Sequence, residues 1–141
     1  MKLDDCVSFR VARISRTLYR PYVERLRRYS MTPPQLFLMM SLYERDNVTA
    51  SELATHIQLD KSTLTGMLSR LEHRKYITRM TDENDGRSVR VTLTEQGRKL
   101  RRPLTAIYQD INRRVLEALG PAAGQLEEFL NALEQAAEKS E

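Results

Sequence analysis

Residues 60–97 read DKSTLTGMLSRLEHRKYITRMTDENDGRSVRVTLTEQG, and the way this run divides into elements decides the fold. Its second half, from Thr81 to Gly97, sets three carboxylates and an Asp-Gly step between Ile77-Thr78-Arg79-Met80 and the alternating Ser88-Val89-Arg90-Val91-Thr92-Leu93. A calcium loop of the helix-loop-helix kind needs oxygen ligands at positions 1, 3 and 5, glycine at 6 and a bidentate glutamate at 12. Counted from Asp82, Asn84 fits position 3, but Gly86, Arg87 and Leu93 fall at 5, 6 and 12. The calcium pattern fails. Asp-Gly between two short β-type runs instead signals a hairpin, because glycine tolerates the positive φ of tight turns.

The first half reads as a helix with two unlike faces. Leu64, Leu68 and Leu71 share one side with Met67 beside them, which buries that side. The other carries Ser62, Thr65, Gly66 and Ser69, with Lys61 and Thr63 at its N-terminal flank. Small hydroxyl residues are poor helix formers for an exposed face, and Gly66 costs roughly 1 kcal/mol against alanine. A DNA major groove gives a reason, since it admits a helix whose leading side chains are short and able to hydrogen-bond. An ordinary surface helix with accidental Ser and Thr is the alternative on this helix alone.

Upstream, Thr49-Ala50-Ser51-Glu52 is a capping box that opens a short helix, SELATHI. Gln58-Leu59-Asp60 breaks it, and Asp60 is placed to cap the next helix, KSTLTGMLSRLEHRKY. Two short helices joined by about three residues make a helix-turn-helix. Before them, Thr32-Pro33-Pro34 starts a helix that runs through the nearly all-apolar QLFLMMSLYERD, a core segment. Val7, Val11, Ile14, Leu18, Tyr22, Leu26 and Tyr29 recur at helical spacing, so residues from about 4 to 29 form one long helix with Pro21 placed to kink it. Beyond the hairpin, Thr94 caps a long helix through about Ala118, Gly120-Pro121 breaks it, and AAGQLEEFLNALEQAAEKS forms the last helix.

The chain of 141 residues has the length of one globular domain, with no apolar run of membrane-spanning length. MKLDDCVSF lacks the features of a secretory signal, and a single cysteine makes no internal disulfide, so the expected location is cytoplasmic, without a membrane partner. Residues 1–30 carry a net charge of +5 and residues 61–91 of +3, against −4 for residues 120–141. A basic middle and an acidic tail fit one polyanion-facing surface and a separate assembly region; solvated charge on helices accounts for the same counts. His56 and His73 are the only histidines, and no nucleophile-base spacing, phosphate loop or metal-ligand cluster accompanies them. The chain is therefore expected to be no enzyme and to need no cofactor or metal.

Arg79, Arg87 and Arg90 stand on or near the hairpin, with Arg87 just past the turn, where a cation reaches a phosphate or a minor groove. The neighbouring Asp82, Glu83 and Asp85 are suited to fixing a guanidinium's direction, or to pinning the hairpin to the helix through Arg70. With both halves in view, the stretch DKSTLTGMLSRLEHRKYITR followed by DENDGRSVRVTLTEQG resembles the MarR-type winged helix-turn-helix regulators. The carrying motifs are the Asp-x-Arg of Asp85-Gly86-Arg87 and the Val-x-Leu-Thr-x-x-Gly of Val91 to Gly97.

The resemblance implies a mainly α fold with a small β-hairpin wing, in which residues 31–94 form the winged helix-turn-helix and residues 1–30 and 95–141 the dimerisation helices of a single domain. It implies that Lys61 to Arg70 is the recognition helix, that Arg87 enters the minor groove and that Asp85 pairs toward Arg70. The expected DNA-binding residues are Lys61, Ser62, Thr63, Thr65, Gly66, Ser69, Arg70, Arg87 and Arg90, with Asp82 and Asp85 positioning the wing. The expected partners are a second copy of the chain and double-stranded DNA with a palindromic operator, and the expected role is that of a repressor released by a small apolar or aromatic effector. LDDCVSFRVARISRTLYRPY is also similar to the branch of this family that senses organic hydroperoxides through a cysteine near the start of the first helix. That likeness sets a second expectation, a redox input through Cys6 with Tyr19 and Tyr22 as hydrogen-bonding partners from either subunit. A winged helix used for protein contact is the third, and it has no need of both the hydroxyl face and Arg87.

Overall fold

The computed structural model describes residues 1–141 as two compact units, Met1–Ile107 and Tyr108–Glu141. Helix α1 spans Val7–Leu26, preceded by a 3-10 turn at Leu3–Asp5 and followed by another at Arg27–Tyr29. Helical structure is continuous through Pro21, and the chain leaves it at Ser30, whose φ of 49° ends the 3-10 turn. Only Tyr22 and Leu26 of α1 are buried; Val7, Val11, Ile14 and Leu18 remain 40–59% exposed, an apolar stripe that its own chain leaves uncovered.

Helix α2, Pro33–Glu44, forms the core, with eight of its twelve residues buried. It begins where the sequence predicts: the Thr32 N–H donates to Gln35 Oε1 at 2.9 Å, and the Gln35 N–H donates to Thr32 Oγ1 at 3.4 Å. Leu36, Leu38, Met39 and Leu42 are fully enclosed, so α2 carries apolar side chains all round, as a helix wrapped by others must. A two-residue strand β1, Val48–Thr49, leads into α3, Ala50–Ile57, and then α4, Lys61–His73. Strands β2, Ile77–Thr81, and β3, Val89–Leu93, form the expected hairpin, in register from Ile77 opposite Leu93 to Thr81 opposite Val89. Strand β1, which sequence patterning misses because two residues show no alternation, pairs antiparallel with the other edge of β3, giving the order β1-β3-β2.

One expected helix is two. Thr94 caps α5, which covers only Glu95–Lys99, and α6 then runs Arg101–Leu119. Pro103 supplies the reason: it has no N–H for the Lys99 carbonyl and its ring crowds that oxygen, so the break falls one turn upstream. Gly120 (φ 57°) then turns the chain through Gly120–Ala122 into α7, Ala123–Glu138, as the Gly-Pro step predicts. In the second unit Arg113 bridges Asp110 and Glu117, while Phe129 is 74% exposed and Leu130 about half exposed on α7.

The hairpin's base is tied into the first unit at one crossing. The Thr94 N–H donates to the Tyr76 carbonyl at 3.0 Å, the Thr94 hydroxyl donates to the Lys75 carbonyl at 2.6 Å, and the buried Tyr43 hydroxyl donates to the Gly97 carbonyl at 2.7 Å. Burial pushes the Tyr43 phenol pKa far up, so it stays a donor throughout the physiological range. A Cβ on Gly97 would overlap the Tyr76 carbonyl oxygen, whereas a Cβ on Gly66 would meet nothing within 4 Å. The two glycines therefore answer differently to alanine. Gly97→Ala should destabilise the protein by about 1–3 kcal/mol through overpacking, and Gly66→Ala should stabilise α4 by about 0.8–1 kcal/mol through helix propensity. Urea unfolding midpoints test the pair, and equal shifts for both would refute the crossing as described.

Candidate nucleic-acid interface

The helix pair is built from local caps. At the head of α3 the Glu52 N–H donates to Thr49 Oγ1 at 3.1 Å and the Thr49 N–H donates to Glu52 Oε2 at 2.8 Å, which holds the Glu52 carboxyl below the usual range. Gln58, at φ 51°, turns the chain out of α3, and Ser41 Oγ meets His56 Nδ1 at 2.8 Å, seating α3 on α2. Asp60 caps α4: the Thr63 N–H and hydroxyl both donate to its carboxylate, at 3.0 and 2.5 Å, and lower its pKa. The Thr63 hydroxyl proton is thus engaged in the cap.

The expected split of α4 is present. Leu64, Met67, Leu68 and Leu71 are buried, and Lys61, Ser62, Thr63, Thr65, Gly66, Ser69 and Arg70 are exposed. The side chains of Lys61, Ser62 and Thr65 hold no partner within the chain. Nothing in the fold requires glycine at 66, since a Cβ there has open space. On the exposed face the fold uses Thr63 in the cap and Ser69 as an acceptor for Arg79, and leaves Lys61, Ser62 and Thr65 unused.

The wing's ionic groups are arranged differently from the expectation at two residues. Asp85 does not pair with Arg70; its carboxylate accepts from the Arg87 N–H at 3.1 Å and the Ser88 hydroxyl at 3.0 Å, so it organises the tip itself. Arg90, with about a third of its side chain exposed, is engaged within the chain. It donates to Asp82 at 2.9 Å and to the Asn47 carbonyl at 2.6 Å, which ties the hairpin to the loop before β1. Asp82, also accepting from the Asn84 N–H at 3.0 Å, has its carboxyl lowered by that bond first and by Arg90 second. Arg87 alone of the wing arginines is exposed with a side chain free of partners.

The pin between wing and α4 is Arg79 with Glu72. The Arg79 N–H and guanidinium donate to the two Glu72 oxygens at 3.0 and 3.1 Å, and the guanidinium also donates to Ser69 Oγ at 3.2 Å. Arg79 was visible as a hairpin cation, but its carboxylate partner was not, because seven residues across a helix-to-strand junction match no periodic spacing. Asp46 is a second group missed: Oδ1 accepts from the Leu93 N–H at 2.9 Å, closing the open edge of β3.

Cys6 is the N-cap residue of α1 and half-buried. Tyr19 and Tyr22 pack on Phe37, with ring centroids 6.0 and 5.6 Å away. Thirteen residues separate Cys6 from Tyr19, roughly 20 Å of helix, so these groups do not meet within one chain. No helix is long and apolar enough to cross a membrane.

The profile of the MarR family matches residues 31–89. The organic hydroperoxide resistance transcriptional regulator of Bacillus subtilis (strain 168) is 36% identical over 101 residues, covering 72% of this chain and 69% of that protein. The HTH-type transcriptional regulator SarZ of Staphylococcus aureus (strain USA300) is 30% identical over 102 residues, covering 72% of this chain and 68% of its own. Among solved structures, the S. aureus MepR-DNA complex matches with a TM-score of 0.85 over 93% of this chain and 98% of that one, at 24% identity, a likeness of fold.

The wing's attachment should depend on acid pH. Glu72 is lowered by its hydrogen bond from Arg79, and Asp82 by its backbone and Arg90 bonds. Folded pKa values below the unfolded ones mean that these ties contribute fully above the ordinary carboxylate range, about 4, and are lost as pH falls through the depressed values. The β2 and β3 resonances should therefore move below about pH 4 before those of α2, and Glu72→Gln should shift that onset. Wing and core signals changing together would contradict the pinning.

Proposed function

The chain belongs to the MarR family of winged helix-turn-helix transcriptional regulators, and on that premise we propose that it reads a palindromic operator as a homodimer through α4 and Arg87. The observation that carries this reading is the exposed strip on α4, where Lys61, Ser62 and Thr65 have no side-chain partner in the fold, next to the one wing arginine whose side chain is free. Lys61, Ser62, Thr65 and Ser69 supply hydrogen-bonding groups to base edges and phosphates, and Gly66 permits close backbone approach. Arg70 adds a cation beyond them. Thr63 acts through the Asp60 cap. Arg79 and Arg90, with Glu72 and Asp82, hold the wing so that Arg87 projects toward a phosphate or minor groove.

Dimerisation covers apolar surface. The α1 stripe of Val7, Val11, Ile14 and Leu18 and the exposed Phe129 and Leu130 of α7 are faces of the kind that a second copy buries. Two-fold symmetry then sets the recognition helices about 34 Å apart, one turn of DNA. In this reading the protein acts in the cytoplasm as a repressor, released by a small apolar or aromatic ligand. Similarity to a protein named for organic hydroperoxide resistance supports a second input, oxidation at Cys6. Cys6 stands at the head of the same helix that carries the dimer stripe, so Tyr19 and Tyr22 reach it only from the partner subunit.

Arg87→Ala should weaken binding on many sequences alike and lower the salt slope by about one unit. Ser62→Ala or Thr65→Ala should instead relax preference at particular base pairs by about 1–3 kcal/mol. Binding profiles over a randomised duplex library, run at several salt concentrations, separate the two; unchanged profiles for every variant would remove α4 as the reader. For the input, Cys6→Ser should bind DNA as the wild type does and ignore organic hydroperoxide. Equal loss of affinity in both proteins after peroxide treatment would exclude the thiol.

A further inference from the structure

A concave surface of the first unit shares Ser69 and Arg70 with the proposed reading helix and extends to residues that have no role there. It lies between the start of α2 and the second half of α4, encloses about 440 Å³, and is lined by Ser30, Thr32, Gln35, Arg70, His73 and Arg74 over a floor that includes Leu71 and Tyr76. Arg13, Arg45, Arg79, Arg90 and Arg98 each hold a carboxylate within 3.8 Å. Arg70 and Arg74 hold none, and no Asp or Glu lines the cavity. The nearest acid along the helix, Glu72, is turned to the wing and engaged by Arg79.

Arg70 and Arg74, the last-turn residue and the C-cap of α4, stand four residues apart and line the same cavity with His73, a spacing at which like charges repel. The fold leaves that repulsion unbalanced. Two hydroxyls complete the rim. Ser30 Oγ has no partner in the chain, and Thr32 Oγ1 accepts from the Gln35 N–H, which leaves its own proton to donate. The end of α2 contributes little by itself, because Pro33 and Pro34 carry no N–H and that of Gln35 is taken. Paired guanidinium forks with neutral donors between them match a tetrahedral, multiply charged oxyanion.

We propose that this cavity binds a phosphate group, gripped by Arg70 and Arg74 and hydrogen-bonded by Ser30 and Thr32. The phosphate comes either from the DNA backbone beside the groove or from a free phosphate-bearing molecule, and only the first source rests on the DNA-binding reading. The test therefore begins without DNA. Isotope-labelled full-length protein is titrated with inorganic pyrophosphate at constant ionic strength. Saturable shifts are expected at Ser30, Thr32, Arg70 and Arg74, with at least a tenfold loss of affinity in Arg70→Gln/Arg74→Gln and partial retention in Arg74→Lys. All of these side chains are exposed, so helical circular dichroism should be unchanged.

No saturable response in the wild type, or wild-type affinity in the double glutamine variant, overturns the proposal. In a second arm, duplex DNA is titrated against salt. A slope lowered by about one unit in Arg74→Gln assigns the DNA backbone as the source. An unchanged slope together with lost pyrophosphate binding assigns a free anion. Wild-type affinity for duplex DNA tests the DNA-binding reading separately, so the two can fail independently.

Discussion

The first unit depends on the crossing at the Tyr76 carbonyl. That oxygen, just past the end of α4, accepts the Thr94 N–H at the end of β3, while Gly97 presses against it without room for a Cβ. From the far side the Tyr43 hydroxyl of α2 holds the Gly97 carbonyl. Three segments distant in sequence, the core helix, the exit of α4 and the exit of the hairpin, thus share one contact. Its buried polar atoms are all paired, which is what makes such a contact rigid rather than costly. The direction in which α4 and the wing project follows from it.

On that base the wing divides its charges by direction. Arg79 and Arg90 turn to Glu72, Asp82 and Asn47, and of the hairpin's own carboxylates Asp82 is the one consumed in holding an arginine. Asp85 spends its oxygens on the Arg87 N–H and the Ser88 hydroxyl of the tip. What is left outside is Arg87. The tip therefore carries one guanidinium free of partners beside the exposed carboxylates of Glu83 and Asp85, and Arg87 is the wing cation left to meet a polyanion.

The same logic distinguishes the surfaces that the chain leaves incomplete. An apolar stripe on α1, exposed aromatic and aliphatic groups on α7, the unpartnered Lys61, Ser62 and Thr65 of α4, and two neighbouring arginines without a carboxylate are each left unmatched by the fold itself. Each asks for a different partner chemistry: another apolar face, base edges, or an oxyanion.

The amino-acid sequence by itself determined the elements whose cause is local. Thr32 with Gln35, Thr49 with Glu52, Asp60 with Thr63 and Thr94 with Gly97 are bonds across three residues, so a reader of the chain sees both partners at once, and the hairpin follows from alternation around Asp-Gly. The two-faced α4 is legible for the same reason, because helical spacing sorts side chains before any packing occurs. Pro103 was equally legible, and its effect on α5 and α6 shows that a missing N–H counts as much as a present one. Only the tertiary structure decided which ion goes with which: Arg79 with Glu72 across a change of element, Arg90 with Asn47 at a separation of 43 residues, Tyr43 with Gly97 at 54. Arginine and carboxylate pair without a preferred sequence spacing, so the choice among several nearby acids is made by the geometry of the packed elements, and it assigned Arg90 to the scaffold and left Arg87 at the surface.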